Sequence, residues 1–223
     1  MGVIGTRHPL DKRDVRDFAA RELGATIGLD LPGRCFLAGG VFKTLVHGRE
    51  PRDLDVWCPS PADRGAVVRR LLDRGAVRVD RARFADAFVV AGRVVEVPNR
   101  TDRSSLAELL ARFDIALSAV AVELDRGTLR PMVHPLARTS VERREVLLLK
   151  PLANWKHCLG TLSRARRYAA DLGWSLSAEE EAAVWSVFDA AHPAMQLGMV
   201  ARYEKTALPG WGVLEEARCR LRR

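Results

Sequence analysis

Leu37-Ala38-Gly39-Gly40-Val41-Phe42-Lys43-Thr44-Leu45-Val46-His47-Gly48-Arg49-Glu50-Pro51-Arg52-Asp53-Leu54-Asp55-Val56 decides how this chain is read. A short apolar run meets two adjacent glycines, and a second apolar run further on carries two aspartates around one leucine. In a strand, residues i and i+2 share a face, so Asp53 and Asp55 project side by side. Carboxylates that close repel unless a cation lies between them. Backbone N–H groups at a strand–Gly-Gly–helix turn can cradle phosphate oxygens, and glycine permits close approach. Lys43, one turn on, is placed to meet a phosphate or an acidic partner. The pattern therefore predicts a site for Mg²⁺, with Mn²⁺ as an alternative ion, and a polyphosphate.

Outward from this stretch, alternation and turn signals give an α+β chain. Residues 11–24 read as an amphipathic helix with Val15, Phe18, Ala19 and Leu23 on one face. Cys35–Ala38 reads as a buried strand, Val41–Val46 as a short helix, Leu54–Trp57 as a strand and Ala62–Gly75 as a helix. Ala87–Ala91 and Val94–Val97 flank Gly92-Arg93 as a hairpin within Arg83–Pro98. A capped helix is expected over Ser104–Leu110, a strand over Ile115–Leu124 and another over Thr128–Pro135. From about Val141 the pattern is helical, with a turn at Gly173 and a helix over Ser177–Ala191. The expected division is a catalytic domain over 1–145 and a helical domain over 146–223.

The chain has 223 residues, 48% of them hydrophobic, enough to bury a real core. Its 36 Lys and Arg outnumber 28 Asp and Glu, giving a formal charge of +8 and a pI near 9.9. That balance favours polyanions such as RNA or nucleotides; the alternative is a solvated arginine-rich surface. Cys35, Cys58, Cys158 and Cys219 include no C-x-x-C pair, which speaks against a zinc site or a disulfide framework and for a reducing cytoplasm. No apolar run is long enough for a membrane span or a signal sequence. Met1-Gly2 with Thr6 matches a short myristoylation pattern, read here as coincidence.

The segment Gly39 to Asp55 resembles the catalytic motif of the DNA polymerase beta-type nucleotidyltransferase superfamily. Within it, the chain is most similar to the class II CCA-adding enzymes and their poly(A) polymerase relatives. Their pattern runs G-G-x-V-R-D-x-L-L-G-x-x-P-x-D-h-D, and Gly39, Gly40, Gly48, Pro51, Asp53 and Asp55 fall in register with it. Lys43 stands where that family has Arg, keeping the charge but losing the bidentate fork. Thr44 stands where it has Asp. Arg112-Phe113-Asp114-Ile115-Ala116-Leu117-Ser118-Ala119 is similar to the family's R-R-D-F-T-I-N-A. Arg164-Ala165-Arg166-Arg167-Tyr168-Ala169-Ala170-Asp171-Leu172-Gly173-Trp174 resembles its neck helix.

The resemblance implies a nucleotidyltransferase head with a small mixed sheet and flanking helices, followed by a helical neck. It implies transfer of NMP from an NTP to a hydroxyl, with release of pyrophosphate, and an RNA 3′ end as acceptor. A small-molecule or protein hydroxyl, or a non-catalytic binding module, is the alternative. Asp53, Asp55 and Glu96 are the implied catalytic carboxylates, the two aspartates holding metal; Asp114 is the alternative third carboxylate. Gly39, Gly40, Lys43, Arg112, Asp114, Arg164 and Arg167 are the implied nucleotide-binding residues. Lys156 and Arg166, interleaved with Trp155 and Tyr168, are candidate nucleic-acid contacts. His157-Cys158-Leu159-Gly160-Thr161 replaces the family's base-reading E-D-x-x-R, leaving base choice open. The chain is also expected to lack the body and tail domains that grip tRNA in that family.

Overall fold

A computed structural model describes residues 8–81, 84–205 and 211–222. The Met1-Gly2…Thr6 pattern, Arg83 and the final Arg223 lie outside the described residues. Two compact units are present. The first comprises Met1–Ala111 and Leu117–Arg138; the second comprises Arg112–Ala116 and Thr139–Arg223. The division thus lies at 138/139 instead of 145/146, and a short inner segment belongs to the second unit.

The first unit opens with α1 (Lys12–Thr26), whose Asp11 side chain caps the first turn by accepting from Arg13 N. Strand β1 (Arg34–Ala38) leads through Gly39 into a 3-10 turn (Gly40–Lys43) and a single α-turn, α2 (Thr44–His47). Gly48, at φ 70°, closes α2 in the left-handed region. Then follow β2 (Asp53–Trp57), α3 (Pro61–Asp73), β3 (Val77–Arg81), β4 (Ala85–Val90), β5 (Arg93–Pro98), α4 (Leu106–Leu110), β6 (Val120–Asp125) and β7 (Thr128–Val133). Ser60 and Ser105 cap α3 and α4 by accepting from Asp63 N and Glu108 N.

The described strands form one seven-stranded mixed sheet ordered β3-β4-β5-β2-β1-β6-β7, with β2 and β5 its parallel pair. Strand β3 was not expected; Val77 and Val79 stand exposed on the sheet's edge, so the buried alternation that marks a strand is missing. One face is apolar: Leu37, Leu54, Val56, Phe88, Val95 and Val97 are all fully buried. Helix α3 supplies Val67 and Leu71 to this core, and Arg64 ties it to the sheet through Asp86 at 2.8 Å. Phe18 of α1 meets Phe42 at 5.6 Å between ring centroids, anchoring the turn after Gly40. The opposite face of β2 carries Asp53, Asp55 and Trp57, all half-buried.

Ile115–Leu124 is not one strand. Ala116–Ser118 is a 3-10 turn and Ile115 makes a single antiparallel bridge to Leu148. Leu149 N donates to Asp114 O and Ala116 N to Leu147 O, which places Arg112–Ala116 in the second unit. Both halves of this apolar run are buried, so hydropathy alone could not separate them. Helix α5 (Pro135–Arg143) crosses the division. The second unit continues with α6 (Cys158–Leu172), α7 (Ala178–Asp189), α8 (Pro193–Lys205) and α9 (Val213–Leu221) around Leu159, Leu162, Val184 and Phe188.

Candidate active site

Strand pairing assembles the carboxylates. Asp53 pairs with Val94 and Asp55 with Glu96 across the parallel β2–β5 ladder. Asp53, Asp55 and Glu96 therefore share one face, with Glu96 one strand spacing from Asp55, about 4.8 Å. On the other side Ala38 pairs with Asp55, so the end of β1 and its glycines run beside Asp53. Gly39 has φ 91° and ψ −148°, a conformation only glycine takes without strain. Its N–H donates to Val120 O at 3.2 Å, fixing the turn to β6. The phosphate-facing donors expected of the glycine pair thus fall to Gly40 and the first turn after it, whose N–H groups have no earlier carbonyl in the helix. Lys43, half-buried, ends that turn.

Glu96 is held above the ordinary carboxyl range, first by burial and then by the charge of Asp53; Asp80 adds to the shift and Arg52 opposes it. Arg52 lies 3.6 Å from Asp53 Oδ2 and is itself largely exposed. Asp80 joins this face through a β-bulge. Arg78 pairs with Phe88 but Asp80 with Ala87, so the irregularity between them turns Asp80 toward the Glu96 side. The row across the sheet is Asp80, Ala87, Glu96, Asp55, Ala38. Sequence reading missed Asp80, because a bulge leaves no periodic signal.

Among the described residues, no group of three or more His, Cys, Asp or Glu is arranged to hold a metal ion. Mg²⁺ commonly takes one or two carboxylates and completes its octahedron with phosphate oxygens and water. Asp53 and Asp55, adjacent on one open face beside a like-charged Glu96, fit that use.

In the second unit, Asp114 is buried and both carboxylate oxygens are occupied. Oδ1 accepts from Asn154 N at 3.0 Å and Oδ2 from Thr161 Oγ1 at 2.8 Å. Asn154 in turn donates through Nδ2 to Arg112 O at 2.5 Å, and the Arg112 side chain stands exposed. Arg164 on α6 buries its Nε with no hydrogen-bond acceptor among the described residues. Arg167 lies over the Tyr168 ring at 5.9 Å, and exposed Lys156 over Trp155 at 5.2 Å.

Arg166 is employed differently from the nucleic-acid contact expected of it. Nε and Nη2 bond Glu181 at 2.8 and 2.6 Å; Nη1 and Nη2 bond Glu216 at 2.7 and 3.2 Å; Nη1 also reaches Trp211 O at 2.5 Å. All five guanidinium donors are thereby used inside the helical unit. These carboxylates raise the Arg166 pKa further. Lys150 is likewise paired, at 3.0 Å from Glu180.

No protein-family model and no curated protein matches this chain. Solved structures do. A tRNA nucleotidyltransferase complexed with a primer tRNA and an incoming ATP analogue superposes with a TM-score of 0.56 at 19% identity, over 93% of this chain and 60% of that one. The Thermotoga maritima CCA-adding enzyme in complex with tRNA gives 0.56 at 15% identity, over 96% and 48%. The Bacillus stearothermophilus CCA-adding enzyme with CTP gives 0.52 at 18%, over 87% and 48%. The chain spans about half to three-fifths of these proteins' lengths. It shares the fold of these tRNA nucleotidyltransferases and CCA-adding enzymes over most of its length.

Proposed function

We propose that this chain is a Mg²⁺-dependent nucleotidyltransferase that moves NMP from an NTP to the hydroxyl at an RNA 3′ end. The observation that carries this reading is the set Asp53, Asp55 and Glu96 on one sheet face beside the Gly39-Gly40 turn. The shared fold supports it, as do the nucleotide and tRNA complexes of the structural relatives.

Asp53 and Asp55 would hold Mg²⁺, which when bound neutralises triphosphate charge and orients the displacement. The chain's own groups do the rest. N–H donors at Gly40 and beyond, with Lys43, hold phosphate oxygens. Glu96, whose proton affinity is raised, accepts the proton of the attacking hydroxyl. The hydroxyl oxygen bonds to the α-phosphorus, the α–β phosphoanhydride bond breaks, and pyrophosphate leaves. In the helical unit, the unpartnered Arg164 Nε, with Arg167 and Arg112, serves nucleotide binding. Asp114 positions Arg112 through Asn154, and Lys156 with Trp155 contacts nucleic acid. No described helix is long and apolar enough to cross a membrane. The four cysteines are unpaired, and a cytoplasmic location belongs to this reading.

Incubation with each α-labelled NTP, Mg²⁺ and total RNA, with Asp53→Asn and Asp55→Asn as controls, tests the proposal. Label on RNA that both substitutions remove supports it. Label only on protein or small molecules overturns the acceptor, and no label on any of them overturns the activity.

A further inference from the structure

One feature of the carboxylate face has no part in holding the metal or the triphosphate. Val77 pairs with Val89, Val89 with Val94, and Val94 with Asp53. Three valines thus form one row across β3, β4 and β5 that ends at a catalytic carboxylate. Directly paired residues share a face, so the valines look out on the same side as Asp53 and Glu96. The outer two are open: Val77 is 63% exposed and Val89 37%. At one strand spacing each, the row reaches about 14 Å from Asp53.

Apolar side chains in an exposed line mark a binding surface more often than isolated ones do. What lies on this line is limited by where the reacting hydroxyl must be. Proton transfer to Glu96 requires that hydroxyl beside Asp55 and Asp53, so the group attached to it extends over the neighbouring strands. The valine row offers no charge and no hydrogen-bond partner, which suits the flat face of a nucleobase. The loop before β2 exposes Arg49 and Arg52 at the Asp53 end, where backbone phosphates need cations.

We infer that Val77, Val89 and Val94 form the seat for the terminal base of an RNA acceptor. This rests on the proposed function, and it names how that site grips its acceptor. A base laid on the row buries apolar surface on both partners, and any of the four bases can do so.

The test measures binding of two fluorescein-labelled 12-nucleotide RNAs by anisotropy, one intact and one with an abasic 3′-terminal nucleotide. The wild type is expected to prefer the intact RNA by about fivefold or more. Val77→Ser/Val89→Ser, neutral changes at exposed positions, is expected to bring that ratio below about twofold while leaving ATP affinity unchanged. Val77→Ser alone, at the more exposed position, gives an intermediate ratio and guards against misfolding of the double variant. A preference that survives in the double variant, or a wild type that binds both RNAs equally well, overturns the base seat and leaves the RNA reading standing. A wild type that binds neither RNA but binds ATP overturns the RNA-acceptor reading and the seat with it.

Discussion

Asp55 and Glu96 sit abreast on adjacent parallel strands, β2 and β5, with Asp53 two residues along on the same face. Three carboxylates come together with no sequence motif joining the third to the first two. Burial and the charge of Asp53 disfavour the ionised form of Glu96, a cost that a proton there or a nearby cation relieves.

Glu96 makes this measurable through pH. Its carboxyl is held above the usual range by burial and by Asp53. A group whose folded pKa is raised contributes stability that is full below its unfolded pKa and is lost as pH rises through the folded one. Glu96→Gln is therefore expected to melt higher than wild type at neutral pH. The gap should close as pH falls below the ordinary glutamate range. Thermal unfolding from pH 3 to 8 checks this, and a gap that widens on acidification contradicts it.

Arg166 gives a stability prediction in place of a binding one. Arg166→Ala leaves Glu181 and Glu216 facing each other without their cation. Breaking a fully buried pair costs about 3–5 kcal/mol. Glu216 stays partly in water, so a cost of about 2 kcal/mol is expected here. Arg166→Lys should recover little, because an ammonium cannot bridge two carboxylates with five donors. Urea unfolding measures both variants, and RNA affinity should move in neither while they remain folded.

Asp114 is expected to act through its neighbours. Asp114→Leu removes both acceptor oxygens and leaves Asn154 N and Thr161 Oγ1 without their partner. A loss of about 1–3 kcal/mol follows for each buried donor left unsatisfied. Asp114→Leu together with Thr161→Val removes the orphaned hydroxyl and should recover part of the loss. A double variant no more stable than the single one contradicts this bonding scheme.

The β4–β5 hairpin carries a local conflict that can be repaired. Its two turn residues, Ala91 and Gly92, have φ of 48° and 73°. Two positive φ values mark the type I′ turn, in which Asn-Gly is preferred. Ala91→Asn is expected to stabilise the protein by about 0.5–1 kcal/mol, read as a higher melting temperature with activity unchanged.

The glycine turn and the aspartate pair of the candidate site were legible because their signals are local. Gly39 takes a positive φ, and alternation alone puts Asp53 and Asp55 on one face. Glu96 was reachable only through resemblance, since its place beside Asp55 depends on a parallel pairing of strands distant in sequence. Asp80 and the valine row were invisible for the same reason, and a bulge compounds it. Arg166 shows the opposite failure. A basic helix reads alike whether its arginines meet phosphates or the glutamates of α7 and α9, and burial of the partners decides.

The most direct test of the central claim is transfer of label from α-³²P-labelled NTPs to RNA by purified protein in Mg²⁺, compared with Asp55→Asn. The predicted result is Mg²⁺-dependent labelling of RNA 3′ ends that falls by about a thousandfold or more in the variant. Labelling of equal extent in Asp55→Asn, or none by the wild type with any of the four NTPs, would contradict it.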